Sequence, residues 1–320
     1  MSRSKRETLE VVAPTRIDLA GGTVDIWPIY LFHDNPITIN VAIDLFVRMK
    51  VWSSSDGSFH IINENENKVC KATSIEDIKK GKDFELFRCA LKYFRPDHGI
   101  GIAYRSMAPK GAGLAGSSAV LAAISVALCH INHIQYTKKG LIDIIRDIET
   151  QLIQVPAGTQ DYFPVLWGGV NKIVWDTGSN KRESLACSIQ DLQQCLMLVY
   201  TGTSRYSGSN NWEILKRHIE GNRRIRRLMD RIIEATHRLK DALMDGNYLE
   251  AGRAIHREYK YRRQLLPGIV TKQMKQLEDQ IMALRGVLAI KVCGAGGGGC
   301  MLIFVDPDRR MDISQRIVRM

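Results

Sequence analysis

The chain has 320 residues, 45% hydrophobic and 25% charged, enough for one large or two ordinary domains with real cores. No run of about 18 apolar residues occurs and the first ten residues are charged, so neither a spanning helix nor a secretory leader is expected and a cytoplasmic protein is. Seven widely spaced cysteines without a Cys-x-x-Cys pair argue against a disulfide framework and a zinc site, and the formal charge of +11 suits an anionic substrate or a nucleic acid.

In chain order, Leu9–Ala13 reads as a strand that Pro14-Thr15-Arg16 breaks. Alternation resumes over Ile17–Ala20, and Gly21-Gly22-Thr23-Val24-Asp25 makes a turn. This sets Arg16 and Asp25 at one strand–turn edge, as a plain ion pair, or as a cation for a transferring phosphoryl group and an acceptor for sugar hydroxyls. Two β segments follow, 37–43 and 45–52, with Asp44 between them. Short strands are expected over 58–63 and 68–72, a helix over 84–93 and a strand over 99–104.

Residues Pro109-Lys-Gly-Ala-Gly-Leu-Ala-Gly-Ser-Ser-Ala119 then open a helix of small and aliphatic residues. Unpartnered N–H groups in a helix's first turn attract anions, glycines let backbone wrap a phosphate, and serine hydroxyls bind phosphate or Mg²⁺. The plain alternative is a glycine-rich turn with a serine N-cap. The spacing lacks the Gly-Lys-Ser/Thr of a Walker loop. Gly111, Gly113 and Gly116 match a dinucleotide fingerprint formally, but no carboxylate stands about 20 residues further on.

Leu141–Gln154 has helical spacing and carries Asp147 and Glu149. Residues 156–164 form a proline-flanked loop, where Asp161 is a base, a metal ligand or a plain turn residue. A strand over 168–175 and a buried strand over 195–200 follow, the latter ending in the polar loop Thr201-Gly-Thr-Ser-Arg205. Helices are expected over 211–245, 247–264 and 271–284. The first crowds nine Lys and Arg residues between 216 and 240 without interleaved aromatics, which reads as a solvated face rather than a nucleic-acid surface. Last come strands over 288–293 and 300–305, joined by Gly294-Ala-Gly-Gly-Gly-Gly299. So many glycines imply close approach of backbone to a ligand or another loop. Strands first, then loop and helix, suggest α+β rather than a regular βαβ array.

Three motifs in one order, Ala13–Asp25, Pro109–Ala119 and Cys293–Cys300, resemble those of the GHMP kinase superfamily, and the likeness spans nearly the whole chain. Within it the chain looks most like the bacterial heptose 7-phosphate kinases and galactokinase-type sugar kinases. The residues that carry this are Arg16, Gly21-Gly22, Asp25, Gly158-Thr-Gln-Asp161, Gly168-Gly-Val-Asn171, Thr201-Gly202, Ser204-Arg205 and the stretch from His256 to Leu266-Pro-Gly-Ile269. The resemblance implies an α+β, two-domain GHMP kinase fold. A ribosomal-S5-domain-2-like α/β domain would occupy residues 1–175, and a ferredoxin-like α+β domain residues 176–320.

It also implies ATP and Mg²⁺ as cofactors and a sugar or sugar phosphate as substrate, with galactokinase-like or mevalonate-like acceptors, or a non-catalytic binding protein, as alternatives. Pro109, Gly111, Ala112, Gly113, Leu114, Ala115, Gly116, Ser117 and Ser118 would hold ATP, with Gly296 and Gly297 of the second glycine loop closing beside them. Ser117 and Glu149 would bind the metal, Asp161 would be the base, and Arg16 would stabilise the transferring group. Gly22, Thr23, Asp25 and Arg205 would bind the acceptor. Neither nucleic acid nor membrane is an expected partner, and a homodimer is the assembly considered. The chain departs from the family at Ala115-Gly116, at Val24 with Trp27-Pro28 following, and at Tyr162 after Gln160-Asp161.

Overall fold

Where two interrupted strands were expected near the start of the chain, the computed structural model has two long ones. It describes residues 8–78, 83–178, 180–203 and 208–320. Strand β1 (Thr8–Ala20) runs straight through Pro14, and β2 (Ile37–Ser53) straight through Asp44. Among the described residues strand β1 pairs with β2 alone, which makes it an edge strand, the place in a sheet where proline is tolerated.

The chain divides into two compact units that interleave in sequence. The first holds the described residues up to Thr15, Ile43–Pro109 and Gly116–Leu166; the second holds Arg16–Ala42, Lys110–Ala115 and the chain from Trp167 onward.

In the first unit, β3 (Phe59–Asn63) and β4 (Lys68–Ala72) form an antiparallel pair. Strand β5 (Ile100–Ser106) lies parallel to β3 and antiparallel to the Val47–Ser53 part of β2. Three helices pack on one another: α1 (Glu85–Phe94), α2 (Gly116–Ile131) and α3 (Lys138–Ile153). Helix α2 is buried at every position from Ser118 to Ser125, as expected of a helix apolar all round. The expected loop over 156–164 instead gives way to helix α4 (Tyr162–Trp167), with Pro164 in its first turn, where a missing N–H costs nothing.

In the second unit, β6 (Val170–Val174) pairs antiparallel with the Ile37–Val41 part of β2 and with β7 (Lys181–Ser184), a strand not anticipated from sequence. Helix α5 (Ile189–Cys195) leads into β8 (Leu196–Tyr200). One helix was expected over 211–245. Two are found, α6 (Gly208–Ile219) and α7 (Arg223–Met244), because Gly221 takes a left-handed turn and the Asn222 side chain caps α7. Helices α8 (Tyr248–Arg262) and α9 (Lys272–Met282) precede β9 (Val287–Val292) and β10 (Cys300–Val305), and α10 (Arg310–Val318) closes the chain.

Strand β10, buried throughout, is the centre of a second antiparallel sheet in the order β8-β10-β9. Around it Tyr259, Met274, Ile290, Met301, Ile303 and Ile313 form one apolar core. On α7, Ile225, Met229, Ile232, Ile233 and Leu239 face inward, while Arg231 and Arg238 pair with Glu234 at the exterior. Among the described residues no helix is long and apolar enough to cross a membrane.

Candidate active site

The first unit gathers a polar group around Glu149. Helix α2 starts at Gly116, at the end of the glycine-rich loop. Residues one apart on a helix point about 100° apart, so only one of the two serines can face α3. Ser117 is exposed and Ser118 is buried. The Ser118 hydroxyl donates to Glu149 Oε1 at 3.1 Å and Oε2 at 3.3 Å. Of the two serines, it is Ser118 rather than Ser117, the serine expected to approach the metal, that meets Glu149. The buried phenol of Tyr162 also donates to Glu149 Oε2. Asp161, one residue earlier, is half-buried directly ahead of α4.

A carboxylate with a serine hydroxyl is an all-oxygen donor set, the kind Mg²⁺ takes alongside phosphate oxygens and water. Among the described residues no cluster of three or more His, Cys, Asp or Glu could hold a metal alone. The Ser118–Glu149 pair fits an ion that also takes oxygens from a nucleotide's phosphates.

The second unit holds the two glycine loops against each other. Gly113 lies at φ +76°, and a Cβ there would meet the Cys293 carbonyl at 2.5 Å. A Cβ on Gly299 would meet the Ala112 carbonyl at 2.6 Å. The backbones are joined as well: Cys300 N–H donates to Ala112 O at 2.8 Å, and Gly297 N–H to Ile269 O at 2.8 Å. Gly296 abuts the same Ile269 carbonyl. Close approach of other backbone thus accounts for Gly294, Gly296 and Gly299.

The loop after β8 joins this structure, since Thr201 Oγ1 donates to Gly299 O at 2.8 Å and Gly299 N–H to Thr203 O at 2.8 Å. Ser204 and Arg205 lie outside the described residues. Pro109 is exposed, Gly111 is left-handed, and Leu114 is buried. Ala115 sits at φ +59°, a region that costs a residue with a Cβ about 1 kcal/mol. Arg16, buried, braces the loop: Nη1 donates to Gly113 O at 2.7 Å and its backbone N–H to Leu114 O at 3.1 Å. Burial pushes the thiol of Cys293 up to about 12 and that of Cys300 up to about 11, so neither is a nucleophile at neutral pH.

Below the turn that precedes Asp25 lies a feature that sequence reading missed. Asp18, Glu258, Arg262 and Lys291 are all buried. Lys291 Nζ donates to Leu19 O at 3.1 Å and stands 3.1 Å from Glu258 Oε2 and 3.4 Å from Asp18 Oδ1. Arg262 donates through Nη2 to Gly22 O at 2.9 Å and to Glu258 Oε1 at 2.6 Å, and through Nη1 to Thr23 Oγ1 at 3.1 Å. The Glu258 carboxylate also takes the Gly21 N–H at 3.3 Å.

Burial works to raise the Asp18 carboxyl, but Lys291, Arg262 and Arg16 outweigh it and hold it below its ordinary value. Burial likewise opposes the charge of Arg262, and Glu258, Asp18 and Asp25 restore it. Thr23 sits at φ +66°, unfavourable for a β-branched residue. Asp25 is buried just beyond it. The one signal in the sequence was Lys291, a charge in the middle of an otherwise apolar strand.

The first glycine loop with its buried helix and Glu149, and the second glycine loop, all fall inside segments that match known family models. The model of the GHMP kinases N terminal domain matches residues 85–169, and that of the GHMP kinases C terminal matches residues 232–319. The chain belongs to the GHMP kinases. As a member it is an ATP-dependent phosphotransferase with an alcohol acceptor, in the two-domain fold of that family.

The kinase is 21% identical over 318 residues to the D-glycero-alpha-D-manno-heptose 7-phosphate kinase of Campylobacter jejuni, covering 96% of this chain and 92% of that one. It is similar in fold to a solved D-glycero-D-manno-heptose 1-phosphate kinase from Bacteroides thetaiotaomicron, with a TM-score of 0.77, 18% identity and coverage of 98% and 93%. The galactokinase of Lactococcus lactis, solved with galactose, has a TM-score of 0.81 at 17% identity, with coverage of 98% and 89%.

Proposed function

We propose that this kinase transfers the γ-phosphoryl group of ATP to a hydroxyl of a sugar or sugar phosphate, with a heptose phosphate as the leading acceptor class. The observation that carries the reading is the Ser118–Glu149 pair at the start of α2, directly after the glycine loop. The named acceptors of the similar heptose-phosphate kinases support the choice of class.

When bound, Mg-ATP supplies the phosphoryl group and most of the charge neutralisation at its β- and γ-oxygens. The backbone of residues 109–118 holds the phosphates, with Gly296 and Gly297 in the loop packed behind it. Ser118 and Glu149 are the metal ligands, and Tyr162 orients the Glu149 carboxylate through its hydrogen bond. Arg16 does two things: it fixes Gly113 and places a cation for charge that develops on the transferring group. Asp25, with Gly22 and Thr23, binds acceptor hydroxyls. Asp161 orients the attacking hydroxyl and takes its proton late, since the transition state is loose and needs little activation of the nucleophile. The two family matches lie on either side of residue 175, which supports an N-terminal domain of residues 1–175 and a C-terminal domain of 176–320.

An ATP-consumption screen over heptose 7-phosphates, heptose 1-phosphates, galactose, fucose and mevalonate tests the reading. Turnover with a heptose phosphate is expected, and Asp161→Asn should lower its kcat by about 10²–10⁴ with little change in ATP affinity. Turnover confined to mevalonate would overturn the sugar assignment. Tight Mg-ATP binding without turnover of any acceptor would make the chain a binding protein.

A further inference from the structure

The buried charges below the Gly21–Thr23 turn take no direct part in the chemistry proposed above, yet every one of them meets that turn or the strand leading into it. Arg262 divides its donors among the Gly22 carbonyl, the Thr23 hydroxyl and the Glu258 carboxylate. Glu258 in turn accepts the Gly21 N–H. Lys291 closes the group by bridging Glu258, Asp18 and the Leu19 carbonyl. The partners come from β1, α8 and β9.

The turn they hold is strained, because Thr23 is β-branched and left-handed. Strain of this kind persists only where the surroundings over-determine it, and it gathers at functional sites. A well-packed apolar cluster would fill the same space at no loss of stability, so stability alone does not account for four buried charges. A lysine at 262 would keep the charge but lacks the planar fork that reaches three acceptors at once.

We propose that Arg262, itself locked by Glu258 and Lys291, is a positioning residue for the acceptor: it fixes Gly22 and Thr23 in the strained turn and thereby sets the backbone on which Asp25 meets the acceptor's hydroxyls. The inference rests on the proposed role of Asp25 and assigns the determinant of acceptor affinity to a side chain on α8 that does not touch the acceptor.

Arg262→Lys tests it by two readouts. Hydrogen exchange, followed by mass spectrometry on peptides spanning residues 18–30, should quicken at Gly22–Asp25 by about tenfold or more, while peptides from β10 stay protected. In turnover assays the KM for the acceptor should rise by about tenfold to a hundredfold, while the KM for ATP stays within about twofold. Unchanged exchange at the turn in a folded Arg262→Lys protein, or acceptor and ATP KM values that rise together, would overturn the proposal.

If Arg262→Lys does not fold, Arg262→Gln replaces it, since it removes the fork that reaches the turn and leaves Gly22, Thr23 and Asp25 themselves unchanged. The acceptor KM should rise alone, and an unchanged acceptor KM would count against positioning through this turn. Failure of the proposed reaction would look different. Wild-type protein would then turn over no sugar or sugar phosphate, and the exchange measurement would still decide whether Arg262 fixes the turn.

Discussion

Glu149 and Glu258 are both helix carboxylates drawn into polar clusters, and the difference between their partners separates two kinds of work. Glu258 is met by Arg262, Lys291 and a backbone N–H, so its charge is cancelled inside the protein and its geometry fixed from three sides. Glu149 takes hydrogen bonds from the hydroxyls of Ser118 and Tyr162, neutral donors that orient a carboxylate. Glu258 is fully buried and Glu149 half-buried. The first arrangement suits a strut, and the second, built on hydroxyl donors, is compatible with the metal-binding role proposed for Glu149.

The comparison can be broken most sharply at Lys291. Lys291→Met removes the cation that bridges Asp18 and Glu258, and breaking one partner of a buried ionic group costs about 3–5 kcal/mol. Urea unfolding should show a loss of that size. The charged form of Asp18 is favoured in the folded state, so its stabilisation is complete above its ordinary value and is lost as the pH falls through the depressed one. Without Lys291 the upward pull of burial on Asp18 is opposed by Arg262 and Arg16 but not by Lys291, and acid unfolding should begin at a higher pH than in the wild type. An unchanged acid midpoint would make the cluster a bystander.

The effect at Glu149 should appear in function and leave the fold intact. Ser118→Ala removes one hydroxyl from the carboxylate and should lower Mg²⁺-dependent ATP affinity by about tenfold with little change in melting temperature. Ser117→Ala, one residue away and exposed, should do much less. Equal losses in the two variants, read by calorimetric titration with Mg-ATP, would erase the distinction between them.

The smallest effect concerns the strained residue ahead of Ser118. Thr23 is held at positive φ by Arg262, whereas Ala115 has no side chain to be gripped. Ala115→Gly should therefore raise stability by about 0.5–1 kcal/mol in a denaturant titration, less whatever the looser unfolded chain takes back. Thr23→Gly would also forfeit a hydrogen bond, so its net gain should be smaller.

Much of the glycine architecture was legible because glycines at this density have few uses besides close backbone contact. The buried character of α2 could be read from its uniform small and aliphatic residues. The strands β1 and β2 were read as interrupted because Pro14 and Asp44 look like breaks, and a sequence does not show that a strand edge has room for them. Which of Ser117 and Ser118 meets Glu149 was not legible, since two adjacent serines are equivalent until the phase of α2 is fixed by its packing on α3. The group beneath the acceptor turn was hidden by distance, with Asp18 more than 200 residues ahead of Glu258, Arg262 and Lys291. Only the tertiary fold reveals that such charges answer one another.

The interlocked glycine loops bear on how the protein can vary. A side chain on Gly113 or Gly299 would run into carbonyls of the opposite loop, in addition to the strain of their positive φ. A saturation library at either position would record near-uniform intolerance, and that intolerance would measure clearance rather than chemistry. Any redesign of nucleotide preference has to treat 111–113 and 293–299 as one mutational unit, because a backbone shift made to accept a new side chain in one loop must be matched in a segment about 180 residues away.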